Sequence, residues 1–167
     1  EDRNGSVLLK AHNGQYLSVY PNGTTGVVND PTKSEVWTPV DNGAGAWSLR
    51  GFHGQYLSAR CEGKDVCTQH SSNDAKILVE PAHETAVTSS STSIAPSNSV
   101  TSTTPSTMTE PSDMWEPTGG KPRCLKFTSS RVYLRLMTSL LEGNKVDTVP
   151  YCKKYELWTI ENRNGSV

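Results

Sequence analysis

A stretch of this chain occurs a second time with little change, and that repetition limits its possible folds more than any local propensity does. The first copy reads Leu9-Lys10-Ala11-His12-Asn13-Gly14-Gln15-Tyr16-Leu17-Ser18 and the second Leu49-Arg50-Gly51-Phe52-His53-Gly54-Gln55-Tyr56-Leu57-Ser58. The two tyrosines stand about 40 residues apart, a period that marks repeat architectures. A weaker third copy, Leu125-Lys126-Phe127-Thr128-Ser129-Ser130-Arg131-Val132-Tyr133-Leu134, aligns once a one-residue insertion is allowed. Each copy also ends in a related segment: Lys33 to Asp41 around Glu35-Val36-Trp37, a degenerate Lys76-Ile77-Leu78-Val79-Glu80, and Lys154 to Asn162 around Glu156-Leu157-Trp158.

Inside each copy, short alternating or apolar runs are separated by Asn13-Gly14, Asn22-Gly23, Asn42-Gly43 and Gly143-Asn144. Asn and Gly supply the positive φ that tight hairpins demand. No sustained helical period interrupts the pattern, so each copy reads as about four short strands. Three such units cannot bury a core singly, and an open sheet of them would leave exposed edges. Three copies are too few for a propeller, which leaves a six-stranded barrel capped by hairpins: an all-β, β-trefoil fold of three pseudo-symmetric four-stranded repeats. The expected repeated core is Leu9, Tyr16, Leu17 and Trp37, then Leu49, Tyr56, Leu57 and Leu78, then Leu125, Tyr133, Leu134 and Trp158.

The repeats divide the chain into about 5–43, 44–84 and 121–163, one domain in all. Residues 85–120 are mostly Ser and Thr with scattered Pro, a composition that cannot offset its ordering entropy by burying apolar surface. A flexible surface loop is expected there, with Trp115 its one large apolar side chain. Near the ends, Glu1-Asp2-Arg3-Asn4-Gly5-Ser6-Val7 nearly recurs as Glu161-Asn162-Arg163-Asn164-Gly165-Ser166-Val167. The echo reads either as the start of a following tandem trefoil over 161–167 or as another copy of the turn at Asp41-Asn42-Gly43.

The segment Trp47-Ser48-Leu49-Arg50 through His53-Gly54-Gln55-Tyr56-Leu57-Ser58-Ala59, followed by Gly63-Lys64-Asp65-Val66-Cys67-Thr68, resembles the repeat unit of fascin-like actin cross-linking domains. Lys33 through Trp37-Thr38 is similar too. The resemblance covers the first two copies well and the third in part, and the Ser/Thr insertion departs from it. It implies a β-trefoil, one of several in tandem, that binds and bundles F-actin in the cytoplasm without catalysis, with neighbouring trefoils of the same chain as further partners. Gly-x-Tyr-Leu-Ser is a signature of turn and core, so it transfers fold better than function.

An acidic filament calls for gathered basic groups. Lys33, Lys76 and the pair Lys153-Lys154 precede the same strand in the three copies and form one candidate actin-binding set; Lys10, Arg50 and Lys126 form a second. The competing reading is a carbohydrate-binding trefoil. Ricin-like lectins carry Gln-x-Trp in their repeats, where this chain keeps the Trp twice and the Gln nowhere. That reading would gain from a Cys61–Cys67 disulfide or from glycans at the Asn4, Asn22 or Asn164 sequons.

Other classes fit poorly. A net charge of −1 argues against a nucleic-acid partner, which requires a basic surface, and no apolar run reaches the ~18 residues of a membrane helix. No nucleophile elbow, phosphate loop or metal-ligand spacing is present, so neither an enzyme nor a cofactor or metal site is expected. His12 and His53 are expected as exposed turn residues. Cys61 and Cys67 flank a turn-like Glu62-Gly63-Lys64-Asp65 and could bridge a hairpin, but for a cytosolic chain Cys61, Cys67, Cys124 and Cys152 are expected as thiols.

Overall fold

A computed structural model of the chain describes residues 5–59, 61, 66–73, 75–82, 121–141 and 143–163. The Ser/Thr-rich segment, Trp115, the Asn4 and Asn164 sequons, and residues 164–167 of the terminal echo lie outside them. Twelve strands follow in order: β1 Val7–Ala11, β2 Tyr16–Val19, β3 Thr25–Val28, β4 Val36–Asp41, β5 Trp47–Gly51, β6 Tyr56–Ser58, β7 Cys67–Gln69, β8 Ile77–Pro81, β9 Arg123–Phe127, β10 Val132–Ser139, β11 Gly143–Val149 and β12 Leu157–Asn162.

Six of these strands close a ring, β1–β4–β5–β8–β9–β12 and back to β1, every contact antiparallel. The others form three hairpins, β2–β3, β6–β7 and β10–β11, each joined to the ring through its preceding strand. This is the expected β-trefoil. The ladders explain why no repeat stands alone. Between repeats, β4–β5, β8–β9 and β12–β1 each run through five residue pairs. Within repeats, β1–β4 and β9–β12 share two pairs each and β5–β8 one. Most of the barrel's hydrogen bonding therefore forms only when all three units meet. Glu161 and Asn162, counted in the terminal echo, complete this ladder as the end of β12, opposite Leu8 and Val7.

The core is built in three-fold layers. Leu9, Leu49 and Leu125 are fully buried, as are Leu17, Leu57 and Leu134, each contributing about 1.5–3 kcal/mol by leaving water. Trp37 and Trp158 are also fully buried, and each indole N–H donates to the carbonyl of the matching β2 or β10 leucine: Trp37 Nε1 to Leu17 O at 3.1 Å and Trp158 Nε1 to Leu134 O at 3.0 Å. In the second repeat the place of these tryptophans falls to fully buried Ile77, with Leu78 half-buried. That corrects the expectation of Leu78 by one residue, a slip that moves a strand side chain to the other face. Tyr16, Tyr56 and Tyr133 are half-buried rather than core. Ala11, Gly51 and Phe127 share one layer and compensate in size. A Cβ on Gly51 would lie 2.8 Å from Val19 Cγ1 and 3.3 Å from Trp37 Cζ3.

The turns follow their sequence signals: Gly14, Gly23, Gly43 and Gly143 have φ of 88°, 77°, 76° and 75°. The inserted residue of the third copy is absorbed between β9 and β10, where Arg131 (φ 57°) stands in for Gly14 and Gly54, its N–H donating to Phe127 O at 2.9 Å.

All four cysteines are paired, contrary to the expectation of thiols. Cys61–Cys67 clamps the second hairpin and Cys124–Cys152 ties β9 to the loop before β12, with Cα separations of 6.1 and 6.2 Å. Both distances suit a disulfide, and the fold brings Cys124 and Cys152 together across a register the sequence did not reveal.

Candidate functional site

The two equivalent Gly-x-Tyr-Leu glutamines, Gln15 and Gln55, are the centres of polar clusters at junctions between repeats. The pairing of β2 with β3 sets Gln15 beside Asn29, and that of β6 with β7 sets Gln55 beside His70. At the junction of repeats 3 and 1, Gln15 Nε2 donates to Asn29 Oδ1 at 3.0 Å. Its Oε1 accepts from Asn13 Nδ2 at 2.7 Å and from Asn144 Nδ2. Asn144 reaches it from the β10–β11 hairpin of the preceding repeat. Four carboxamides thus meet at the surface, presenting donors and acceptors with no formal charge.

Aromatic surface adjoins this cluster. His12 precedes Asn13 in the same turn, and its ring meets Tyr155 edge-on with centroids 5.0 Å apart. Tyr155 is 49% exposed and Tyr151 44% exposed. Both lie in the segment that carries Cys152, so the second disulfide anchors the loop that presents them. His12 is not the exposed turn residue the sequence suggested: it is half-buried, and its Nδ1 has no partner among the described residues. Burial, with Lys154 nearby, holds its pKa below the ordinary value.

At the junction of repeats 1 and 2 the same plan recurs. Gln55 Oε1 accepts from Thr68 Oγ1 at 2.5 Å, and its Nε2 lies 3.5 Å from His70 Nε2. The turn of the first hairpin packs here as Asn144 packs on Gln15: Thr68 N–H donates to Gly23 O at 2.9 Å. Exposed Phe52 supplies the aromatic neighbour, in contact with His53 at 5.3 Å. In the third repeat the plan stops, since Val132 takes the place of the glutamine and Pro150 faces it.

The candidate basic residues are placed differently from the expectation of two three-fold sets. Lys33 and Lys154 hold equivalent positions, two residues before the buried carboxylates Glu35 and Glu156, and both are exposed. The equivalent of those carboxylates in repeat 2 is buried Ala75, so Lys76 falls three residues beyond the true equivalent, Asn73, and lies half-buried. Lys153 is exposed and lies 5.0 Å over the Tyr151 ring. Glu35 and Glu156, which stand where ricin-like repeats have Gln, close local loops: Glu35 accepts from Thr32 N at 2.5 Å and Glu156 from Lys153 N at 2.7 Å.

Of the second set, Lys10 and Lys126 are tied into matching networks. Lys10 Nζ lies 3.2 Å from Glu161 Oε1 and Tyr16 donates to Glu161 Oε2 at 3.2 Å. Lys126 Nζ lies 3.1 Å from Glu80 Oε1 and Tyr133 donates to Glu80 Oε2 at 2.8 Å. Both lysines are raised above their ordinary pKa, Lys10 chiefly by Tyr16 and Glu161, Lys126 chiefly by Glu80. At Arg50, Val40 stands where the carboxylates stand in the other two networks.

Sequence reading missed Gln15 and Gln55 as functional candidates because the motif was assigned to turn and core. The available signal was identity: a strand-entry residue that fold alone does not dictate is Gln in two copies and Val in the third. Among the described residues no group of His, Cys, Asp and Glu is arranged to hold a metal.

No family model and no curated protein matches the chain. Solved structures do. It is similar to SeviL bound to asialo-GM1 saccharide, with 13% identity and a TM-score of 0.60 over 96% of this chain and 98% of that one. The designed three-fold symmetric protein ThreeFoil is similar at 16% identity and a TM-score of 0.63, over 95% of this chain and 99% of that one. The BEL β-trefoil matches at 12% identity and a TM-score of 0.62, over 95% and 92%. At these identities the likeness establishes the β-trefoil fold.

Proposed function

We propose that this chain is a non-catalytic carbohydrate-binding module that takes uncharged saccharides at the Gln15 and Gln55 clusters. The observation that carries the reading is the doubled arrangement of side-chain amides, or an amide with an imidazole, next to exposed rings at equivalent junctions. Carboxamides both donate and accept, as a sugar's vicinal hydroxyls do, and a ring face covers the apolar C–H face of a pyranose. We expect one such cluster to hold a monosaccharide at about 1 mM, which corresponds to about −4 kcal/mol. The similar SeviL structure, bound to asialo-GM1 saccharide, supports the reading.

Two disulfides favour an oxidising compartment, and we place the protein there rather than in the cytoplasm. Actin bundling, which the repeat resemblance implies, draws no support from these neighbours, and Lys10 and Lys126 are already ion-paired. The test is a glycan array run beside F-actin cosedimentation. Binding to neutral glycans that falls at least tenfold in Gln15→Leu, with no pelleting on actin, supports the proposal. Pelleting with actin and silence on the array overturns it.

A further inference from the structure

The first hairpin carries Asn22-Gly23-Thr24, an Asn-x-Thr acceptor sequence for N-linked glycan. It occupies the turn between β2 and β3, closed by Gly23 N–H donating to Tyr20 O and Tyr20 N–H donating to Thr24 O, each at 2.9 Å. Asn22 is exposed. Its Oδ1 accepts from Thr24 Oγ1 at 2.6 Å and from Thr24 N at 3.1 Å, and both bonds leave Nδ2 out. The amide nitrogen can thus carry a substituent without losing either bond. Gly23 permits the turn with φ 77°, and the middle residue is not Pro, which would block the sequon. The corresponding turn of repeat 3 reads Asn144-Lys145-Val146 and lacks the hydroxyl residue. Paired cysteines independently suit the luminal route on which such glycans are added.

The position has a consequence for the adjacent cluster. Gly23 packs directly on it: a Cβ at Gly23 would sit 3.5 Å from Gln55 Oε1 and 3.5 Å from Thr68 O. Thr24 pairs with Cys67. Asn22 is one peptide unit away, about 3.8 Å between Cα atoms, so a glycan on Asn22 starts from the turn that packs on the Gln55–Thr68–His70 group.

We propose that Asn22 is an N-glycan acceptor and that its own glycan covers the Gln55 cluster, leaving the Gln15 cluster as the open one. In the transfer, Asn22 Nδ2 forms the bond to the anomeric carbon of a lipid-linked oligosaccharyl diphosphate. The bond from that carbon to the phosphate oxygen breaks, the lipid diphosphate leaves with the electron pair, and the amide gives up one proton. The acceptor assignment stands apart from the carbohydrate-binding reading; the meaning of the covered cluster rests on it.

The experiment secretes the full chain from a eukaryotic host behind a cleavable signal peptide and maps glycosylation by peptide mass spectrometry after enzymatic deglycosylation in heavy-oxygen water. The expected result is an Asp label at position 22 that persists in Thr24→Ser and is lost in Thr24→Val and Asn22→Gln. An unmodified Asn22 peptide in secreted, disulfide-bonded protein overturns the proposal. Coverage is read in the intact glycoprotein by NMR. Cross-relaxation from the first two sugars to the Gln55 side-chain amide or the His70 ring is expected. Its absence, with sugar resonances as mobile as those of a free glycan, refutes the coverage. No sugar is added in this measurement, so a failure on the glycan array removes the carbohydrate-binding reading and leaves the acceptor result intact.

Discussion

Removing the two disulfides one at a time separates their contributions by loop length. Cys61–Cys67 spans 6 residues and Cys124–Cys152 spans 28. If each acts by restricting the unfolded chain, the loop-entropy relation gives about 2.2 kcal/mol for the short bridge and about 3.6 for the long one. The Cys124→Ala, Cys152→Ala pair is therefore expected to lose about 1.4 kcal/mol more than Cys61→Ala, Cys67→Ala. With a urea m-value of about 2 kcal/mol/M, the midpoints fall by roughly 1.8 M and 1.1 M. The assay is equilibrium urea unfolding followed by tryptophan fluorescence, since Trp37 and Trp158 are fully buried. A local effect is expected as well. The long bridge reinforces the β9–β12 seam, which shares only the pairs Leu157–Cys124 and Trp158–Arg123. Amide exchange there should accelerate more than across β8–β9. Equal losses, or a larger loss for the short loop, would refute the loop-entropy reasoning.

Other perturbations test other parts of the fold. Arg131→Gly relieves a left-handed residue that costs about 1–2 kcal/mol and should raise stability by up to about 1 kcal/mol after the added chain entropy of Gly; Gly54→Ala, at φ 78°, should lower it by about 1 kcal/mol, both read by urea unfolding. His12 has a folded pKa below its ordinary 6.5, so its contribution is complete above pH 6.5 and is lost as pH falls through the lower value. His12→Gln should flatten that acid limb, and NMR titration of the wild-type ring should find a midpoint below 6.5. Lys10 and Lys126 lie above their ordinary 10.5; their contribution is complete below pH 10.5 and lost as pH rises through the raised values. Glu161→Gln with Glu80→Gln should weaken that alkaline loss, measured as midpoint against pH.

The barrel was legible because repetition carries non-local information. Two matched copies located Leu9 and Leu49, Leu17 and Leu57, and through the weak copy Leu125 and Leu134, all fully buried. Alignment failed where identity failed. Without a tryptophan to anchor it, the second closing strand was read with Leu78 rather than Ile77 inward, and Lys76 entered its set only because it precedes the same strand, three residues beyond the equivalent of Lys33. The Cys124–Cys152 bridge was illegible because its partners meet through the pairing of β9 with β12, which no local pattern encodes. Gln15 and Gln55 were visible as letters, but their meeting with Asn144 and Gly23 depends on packing between successive repeats.

The central claim is that uncharged saccharides bind at the Gln15 cluster. The most direct measurement is side-chain amide chemical-shift mapping of the full chain titrated with asialo-GM1 saccharide and, beside it, with the neutral glycans selected on the array. The account predicts saturable shifts of the Asn13, Gln15, Asn29 and Asn144 carboxamides with one of these sugars, while Asn42, at the turn between β4 and β5, stays unmoved. Shifts confined to other surfaces, or none with any neutral glycan up to tens of millimolar, about ten times the strength expected of one cluster, would contradict it.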